Sequence, residues 1–205
     1  MSEHEHWERV YATKSADKVS WFQEHAKRSL EIIRSIHPDP KARIIDVGGG
    51  ASTLVDDLIA DGFECISVLD LSAIALKVAR RRLGTKGAAV EWIFGDIRHV
   101  KLPTQAYDIW HDRAVFHFLT DPADRLAYVQ QVMRAVKPGG HVIVATFAPD
   151  GPDQCSGLPV ARYSHEQLHG EFGPAFELID KANEEHKTPW GSMQHFVYCH
   201  CLKPN

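Results

Sequence analysis

The sequence of 205 residues contains no apolar run near the roughly 20 residues that a membrane-spanning helix needs. Its first residues, Met1-Ser2-Glu3-His4-Glu5-His6, carry no basic cluster followed by an apolar stretch, so no secretory leader is expected. From these two absences we expect a cytoplasmic protein without a membrane partner. Cysteine is scarce: Cys65, Cys155, Cys199 and Cys201 form no Cys-x-x-Cys, and in that compartment they are expected as reduced thiols with no metal bound. Positive charge is in deficit, with 23 Lys and Arg against 27 Asp and Glu, a net of −4. That balance argues against a nucleic-acid groove, which needs a basic footprint. The one basic run, Arg80-Arg81-Arg82, falls at the end of an expected helix and complements the negative pole of its dipole. Repeats, low-complexity tracts and long Pro/Gly linkers are also missing. We therefore expect one domain over 1–205, with an N-terminal helical cover at 1–40, a core at 41–147, and a C-terminal helix with closing strands at 148–205.

What is present is an ordinary globular balance, 44% apolar and 24% charged, arranged as alternating strands and helices. The pattern predicts a helix over 20–36, opened by a capping box of Ser20 and Gln23 and ended by His37-Pro38-Asp39-Pro40. Strands are expected over 42–47, 65–71, 90–94, 107–111 and 141–147. Between them, helices are expected from Ser52 or Thr53 to Gly62, over 72–83 with Gly84 as stop, and from Asp121-Pro122. The last of these has an apolar stripe of Leu126, Val129, Met133 and Val136, and Pro138-Gly139-Gly140 ends it. Strands alternating with helices in this way imply βαβ units and a parallel sheet covered on both faces. Beyond Phe147 a loop over 148–158, a short helix over 164–172 and strands over 176–185 and 193–201 are expected, the last two joined near Trp190-Gly191 as an antiparallel pair.

In a doubly wound sheet, ligands bind beyond the carboxyl ends of the strands. Three features fall at such ends: Gly48-Gly49-Gly50 after the first strand, Asp70 after the second and Asp96 after the third. Glycines permit a tight turn and close approach of a ligand to the backbone. A carboxylate at Asp70 is placed to accept the two hydroxyls of a ribose, and Asp96 to reach an adenine amino group. A dinucleotide loop would need a third glycine where Thr53 stands, and no Gly-x-x-x-x-Gly-Lys-Ser/Thr occurs, so neither NAD nor a nucleoside triphosphate fits.

Residues 42–147 resemble the class I S-adenosylmethionine-dependent methyltransferases. The resemblance rests on Asp46-Val47-Gly48-Gly49-Gly50, Leu69-Asp70-Leu71, Gly95-Asp96-Ile97 and Lys137-Pro138-Gly139-Gly140-His141, in that order and spacing. It implies a Rossmann-like α/β fold, a doubly wound seven-stranded sheet whose last strand is antiparallel, and S-adenosyl-L-methionine as cofactor. It also implies that Gly48 and Gly50 lie against the methionine and ribose portions, that Asp70 and the neighbouring Leu71 meet the ribose, that Asp96 and Ile97 hold the adenine, and that Asp46 anchors the loop near the cofactor's amino end. Gly49 departs mildly from the family pattern, in which the middle position varies more.

The acceptor in this family sits near the end of the fourth strand, which here reads Trp110-His111-Asp112-Arg113-Ala114-Val115-Phe116-His117-Phe118. His117 is the first candidate for a base or substrate contact, with Asp112 beside it and Arg113 as an anion binder; the plainer readings are a core-edge histidine and an Arg113–Asp112 ion pair. His111 and Trp21 are further candidates for cofactor contact. Residues 110–114 also resemble the Trp-Asp-Arg-Gly segment of thiopurine methyltransferases, with His111 inserted and Ala114 in place of glycine. No Asn/Asp-Pro-Pro-Tyr/Phe follows the fourth strand, which disfavours planar amino groups as acceptors. The N-terminal Trp7, Tyr11, Lys14, Trp21 and Phe22 resemble the cover of small-molecule methyltransferases and of some protein-lysine methyltransferases that act on citrate synthase or elongation factor. At the other end, His195, Cys199 and Cys201 share one face of an expected strand, with Cys155 and His186 in nearby segments. The expected activity is methyl transfer to a nitrogen, oxygen or sulfur of a small molecule. A protein-lysine acceptor and a non-catalytic cofactor-binding module are the alternatives, and the oligomeric state stays open.

Overall fold

The computed structural model describes residues 2–205; Met1, the first residue of the expected domain, lies outside the described residues. The elements are α1 (Glu3–Thr13), α2 (Lys27–Ser35), β1 (Arg43–Val47), α3 (Leu54–Ala60), β2 (Cys65–Asp70), α4 (Ala73–Leu83), β3 (Glu91–Phe94), β4 (Tyr107–Arg113), α5 (Pro122–Ala135), β5 (Val136–Phe147), β6 (Gln154–Cys155), β7 (Leu158–Pro159), α6 (His165–Phe172), β8 (Glu177–Lys187) and β9 (Met193–Leu202). Seven of the strands form one sheet in the order β3-β2-β1-β4-β5-β9-β8. The pairs from β3 to β5 are parallel, and β9 runs antiparallel to both β5 and β8. The parallel part is the βαβ sheet expected from the alternation, and the whole is the Rossmann-like seven-stranded sheet that the resemblance implies.

Each face of the sheet carries its own core. Ile44 and Ile109 point to the face covered by α2 and α3 through Leu30, Ile33, Leu54 and Leu58. Ile45, Val47 and Trp110 point to the other, covered by α5 and α6 through Tyr128, Val132, Leu168 and Phe172. Successive side chains of a strand face opposite ways. The next residues in β4 therefore diverge: His111 joins Ile109 on the α2 face, and Asp112 joins Trp110 on the α5 face. In register, Asp46 of β1 lies beside His111 of β4.

Several boundaries follow the sequence chemistry. Ser72 caps α4 through Ala75 N–H, and Gly84 ends it with φ +56°. Asp121 caps α5 ahead of Pro122, and Ser164 with Gln167 forms a capping box at α6. Other expectations are corrected. The helix placed over 20–36 is broken. The capping box belongs to Ser2 and Glu5 at the start of α1, and α2 begins only at Lys27. Tertiary partners outcompete the helix there: Gln23 donates to Glu184, and the Ser20 carbonyl accepts from His186. In α5 the buried face is Tyr128, Gln131, Val132 and Ala135, while Leu126 is 59% exposed. The buried Tyr128 hydroxyl finds partners in Trp110 and Asp112, which sets the rotation of the helix. Pro138-Gly139-Gly140 is part of β5, paired there by Gly139 N–H to Lys203 O and Lys203 N–H to Gly140 O. Within the expected loop over 148–158, β6 begins a small hairpin with β7.

Candidate functional site

Beyond the carboxyl end of β1 the chain turns at Gly48, with φ +69°. The Gly48 and Gly49 N–H groups both donate to the Leu69 carbonyl, at 2.7 and 3.2 Å, which ties the turn to β2. A Cβ at Gly48 would come 2.0 Å from Val115 Cγ2, and one at Gly50 would come 2.4 Å from Asp70 Oδ2. The loop is thus pressed against its neighbours at a spacing only glycine allows. Gly49 has its own reason, since its Cβ would lie 2.4 Å from Asp46 Oδ2.

Asp70 is buried at the end of β2, and its Oδ1 accepts Ser72 N–H at 2.7 Å. Burial raises its pKa to about 7 against the opposing help of the Ser72 amide, and the Asp46 and Glu8 carboxylates nearby add to the rise. Asp96 holds Arg98 through Nε and Nη2, at 2.9 and 2.6 Å, and its pKa is lowered by those contacts despite partial burial. Arg98 also reaches Asp124 and Glu3, joining the third strand end to α5 and to α1.

Gly48, Asp70, Asp96 and Arg98 line one cavity of about 1070 Å³, counting its open mouth, on the scale of a small-molecule site, whereas Gly50 lies behind Asp70 outside its lining. Gly48, Asp70, Leu71, Asp96 and Ile97 lie along its base. Trp7 and Tyr11 of α1, Trp21, and Phe118 of the turn after β4 roof it. Trp7 meets Trp21 and Phe118 edge-on, with centroids 5.6 and 5.1 Å apart. Cys155, Leu158 and Pro159 of the small hairpin complete the wall. A second chamber holds Asp46, Gly49, Thr53, Phe22 and His111, and shares Gly48, Tyr11, Trp21 and Arg113 with the first.

The acceptor-region candidates separate. Arg113 lies between the two chambers, but its carboxylate is Glu184 (3.1 Å) rather than Asp112. It also contacts the Tyr198 hydroxyl at 3.1 Å and stacks on Phe196. Asp112 is fully buried on the opposite face, accepting Tyr128 O–H at 2.6 Å and Val115 N–H at 2.9 Å, with burial raising its pKa to about 6. It organises the turn after β4 and lines neither chamber. His117 is fully buried against Phe118 and Phe147, outside the lining of either chamber. Burial, with Arg113 nearby, pushes its pKa down to about 3. His111 bridges Asp46 Oδ1 (2.7 Å) and Ser29 Oγ (2.8 Å).

The C-terminal cysteine and histidine residues do not converge. Cys199 and Cys201 are in the core on the α5 face, His195 pairs with Asp150, and His186 meets the Ser20 carbonyl. Lys14 is exposed outside both chambers. Arg82 of the basic run bonds Asp56 and the Ala51 and Ser52 carbonyls, pinning the glycine loop from outside. Sequence reasoning missed Arg98, Ser29, Glu184 and Tyr198. Only Arg98, two residues after Asp96, offered a local signal.

Residues 44–140 match the sequence model of a family described as Methyltransferase domain. This segment is a class I, S-adenosylmethionine-dependent methyltransferase domain. The chain is 32% identical over 112 residues to the ubiquinone/menaquinone biosynthesis C-methyltransferase of Coxiella burnetii, covering 52% of this chain and 43% of that protein. It is 30% identical over 106 residues to the ubiquinone biosynthesis O-methyltransferase of Pectobacterium carotovorum, covering 51% and 43%. The match thus spans less than half the length of these relatives. In fold, the chain is similar to a solved structure concerned with conversion of a disulfide bond into a thioacetal group during echinomycin biosynthesis. That likeness has TM-score 0.81 at 16% identity, covering 99% of this chain and 93% of the other. It is also similar to the Haemonchus contortus phosphoethanolamine N-methyltransferase 2 solved with phosphomonomethylethanolamine and S-adenosylhomocysteine, with TM-score 0.67 at 16% identity, covering 88% and 53%.

Proposed function

We propose that this chain, as one domain with an N-terminal cover, transfers the methyl group of S-adenosylmethionine to a nucleophilic atom of a small-molecule acceptor. The observation that carries the reading is the buried Asp70 carboxylate facing the glycine loop across a gap that a single Cβ at Gly50 would fill. An acid held at that place, with its pKa raised by burial, gains from hydroxyl donors that stabilise its charged form. Asp46 Oδ2 in the second chamber is buried and has no partner among the described residues, which suits a cationic amine. The residues present therefore fit the cofactor.

In this reading Gly48 and Gly50 flank the methionine and ribose portions, Asp70 and Leu71 take the ribose, Asp96 and Ile97 the adenine edge, and Asp46 the amino end. When bound, the cofactor supplies an activated methyl group that leaves its sulfonium as the bond to the acceptor forms. The chain's task is to align the acceptor and exclude water, so proximity carries much of the rate. Trp7, Tyr11, Trp21 and Phe118 supply a dry aromatic roof, and the Arg113–Glu184 ion pair stands where the chambers meet. Asp112 is committed to Tyr128 O–H and Val115 N–H, and the buried His117 lines neither chamber, so acid–base work falls on them only after a rearrangement of the turn after β4.

A nitrogen, oxygen or sulfur acceptor is proposed, and the names of the relatives, C- and O-methyltransferases of quinone biosynthesis, favour a small molecule. Incubating cell lysate with isotopically labelled cofactor tests this. Label in the small-molecule fraction is expected, whereas a single labelled protein band overturns the small-molecule reading in favour of a protein-lysine acceptor.

A further inference from the structure

We propose that His111 is a positioning residue for the amino end of the cofactor: its Nδ1 fixes the Asp46 carboxylate while Ser29 fixes its Nε2. The proposal rests on the reading above that the second chamber takes that end of S-adenosylmethionine.

Asp46 and His111 are register partners on adjacent parallel strands and face the same side of the sheet. Asp46 Oδ1 is 2.7 Å from His111 Nδ1. A carboxylate there has no proton to give, so Nδ1–H is the donor. His111 Nε2 is 2.8 Å from Ser29 Oγ, on α2 and wholly buried. In the neutral ring, Nε2 then accepts from the serine hydroxyl. The imidazole is thereby held at both ends, and the plane of the carboxylate follows from it.

What marks this as more than core packing is the other carboxylate oxygen. Oδ2 is buried, has no partner among the described residues, and lies 2.4 Å from where a Cβ on Gly49 would be. Buried carboxylate oxygens left unpaired are costly. Here the arrangement satisfies one oxygen with an imidazole N–H and leaves the other free beside a chamber, as a preorganised acceptor for a positive group. The network also continues. Ser29 Oγ lies 3.4 Å from the Tyr198 hydroxyl, which donates to Glu184 Oε2 at 2.7 Å beside Arg113. Polar contacts thus run from the glycine loop to the wall between the chambers.

Calorimetry with two ligands tests the proposal on the whole chain. S-adenosylhomocysteine carries the amino-acid end; 5′-methylthioadenosine keeps the adenosine and sulfur but lacks it. Asparagine can replace the donor at Nδ1, whereas glutamine reaches toward Ser29 and cannot. We expect His111→Gln to weaken S-adenosylhomocysteine at least about tenfold and 5′-methylthioadenosine less than about threefold. His111→Asn should retain S-adenosylhomocysteine to within about threefold. Ser29→Ala, which deletes a single hydroxyl and keeps the fold measurable, should weaken S-adenosylhomocysteine about threefold to tenfold without touching 5′-methylthioadenosine. Equal weakening of both ligands, or unchanged S-adenosylhomocysteine binding in His111→Gln, overturns the proposal. Failure of the unsubstituted protein to bind either ligand overturns the functional reading itself, a result distinct from the other two.

Discussion

Beneath the cavity, the glycine loop is held by main-chain bonds to Leu69, and Asp70 is held by main-chain amides. Above it, Trp7, Tyr11, Trp21 and Phe118 touch one another edge to face, and α1 is fastened by side chains: Glu3 to Arg98, and Glu8 to Ser72 Oγ and Ile74 N–H. The base is continuous with the parallel sheet and has little freedom to relax. The roof is an assembly of exchangeable contacts. Substitutions below should act in an all-or-none way and those above by degrees, because fixed backbone cannot absorb a misplaced atom whereas side-chain contacts can be partly replaced.

The largest effect is expected at Gly48. With φ +69° and a Cβ that would lie 2.0 Å from Val115, Gly48→Val should abolish measurable binding of S-adenosylhomocysteine and lower stability by about 2–4 kcal/mol in urea titration. Near-normal binding would show the base to be as pliable as the roof. Asp70→Ala should weaken S-adenosylhomocysteine at least tenfold, about 1.4 kcal/mol, by calorimetry; unchanged affinity would remove Asp70 from the ribose site. The pH dependence sharpens this. The folded pKa of Asp70, about 7, lies above its ordinary 3.8, so its stabilising contribution is present at low pH and lost as pH rises toward 7 and beyond. Hydroxyl donors favour the ionised form, so affinity should rise about tenfold from pH 6 to pH 8, and Asp70→Asn should flatten that rise while raising the melting temperature more at pH 8 than at pH 5.

On the roof, Trp21→Ala should weaken binding about threefold to fivefold, because Trp7, Tyr11 and Phe118 remain, in keeping with about 0.5–1.5 kcal/mol for an aromatic pair. A loss as large as that of Asp70→Ala would make the roof an equal partner in holding the ligand. The smallest effect is expected at Glu3, which is half exposed: Glu3→Ala should change stability by less than about 1 kcal/mol, and the change should fade in high salt.

The base was also the part written most openly in the chain. Gly48, Gly50, Asp70 and Asp96 follow strands whose apolar runs and stop signals are local, so their positions at successive strand ends could be read without tertiary knowledge. The roof was half legible. Trp7 and Tyr11 stand out as aromatics four apart within the expected helical cover, yet the bounds of its helices are not legible locally, because Ser20 and Gln23 fit a capping box as well as Ser2 and Glu5 do. What decides between them is Glu184 and His186, over 160 residues away. For Arg113 the sequence leaves open an anion binder or an ion pair with its neighbour Asp112. Alternation along β4 sends the two to opposite faces, and applying period two there would have separated them and paired His111 with Arg113. Ser29 and Tyr198 carry no local sign of their role; only the packing of α2 and β9 brings them to His111.

The alternation of β4 also sets how this chain tolerates changes of length. His111, Asp112 and Arg113 are three consecutive polar side chains that must be delivered alternately to two separate interiors. One residue fewer ahead of them would present Asp112 to Asp46 and His111 to Tyr128, exchanging a carboxylate–imidazole contact for two facing acids. Loops elsewhere can lengthen with little loss, but in this strand a shift of a single residue would undo both cores at once. Natural variation in β4 is therefore expected as substitution, with insertions and deletions confined to the turns on either side of it.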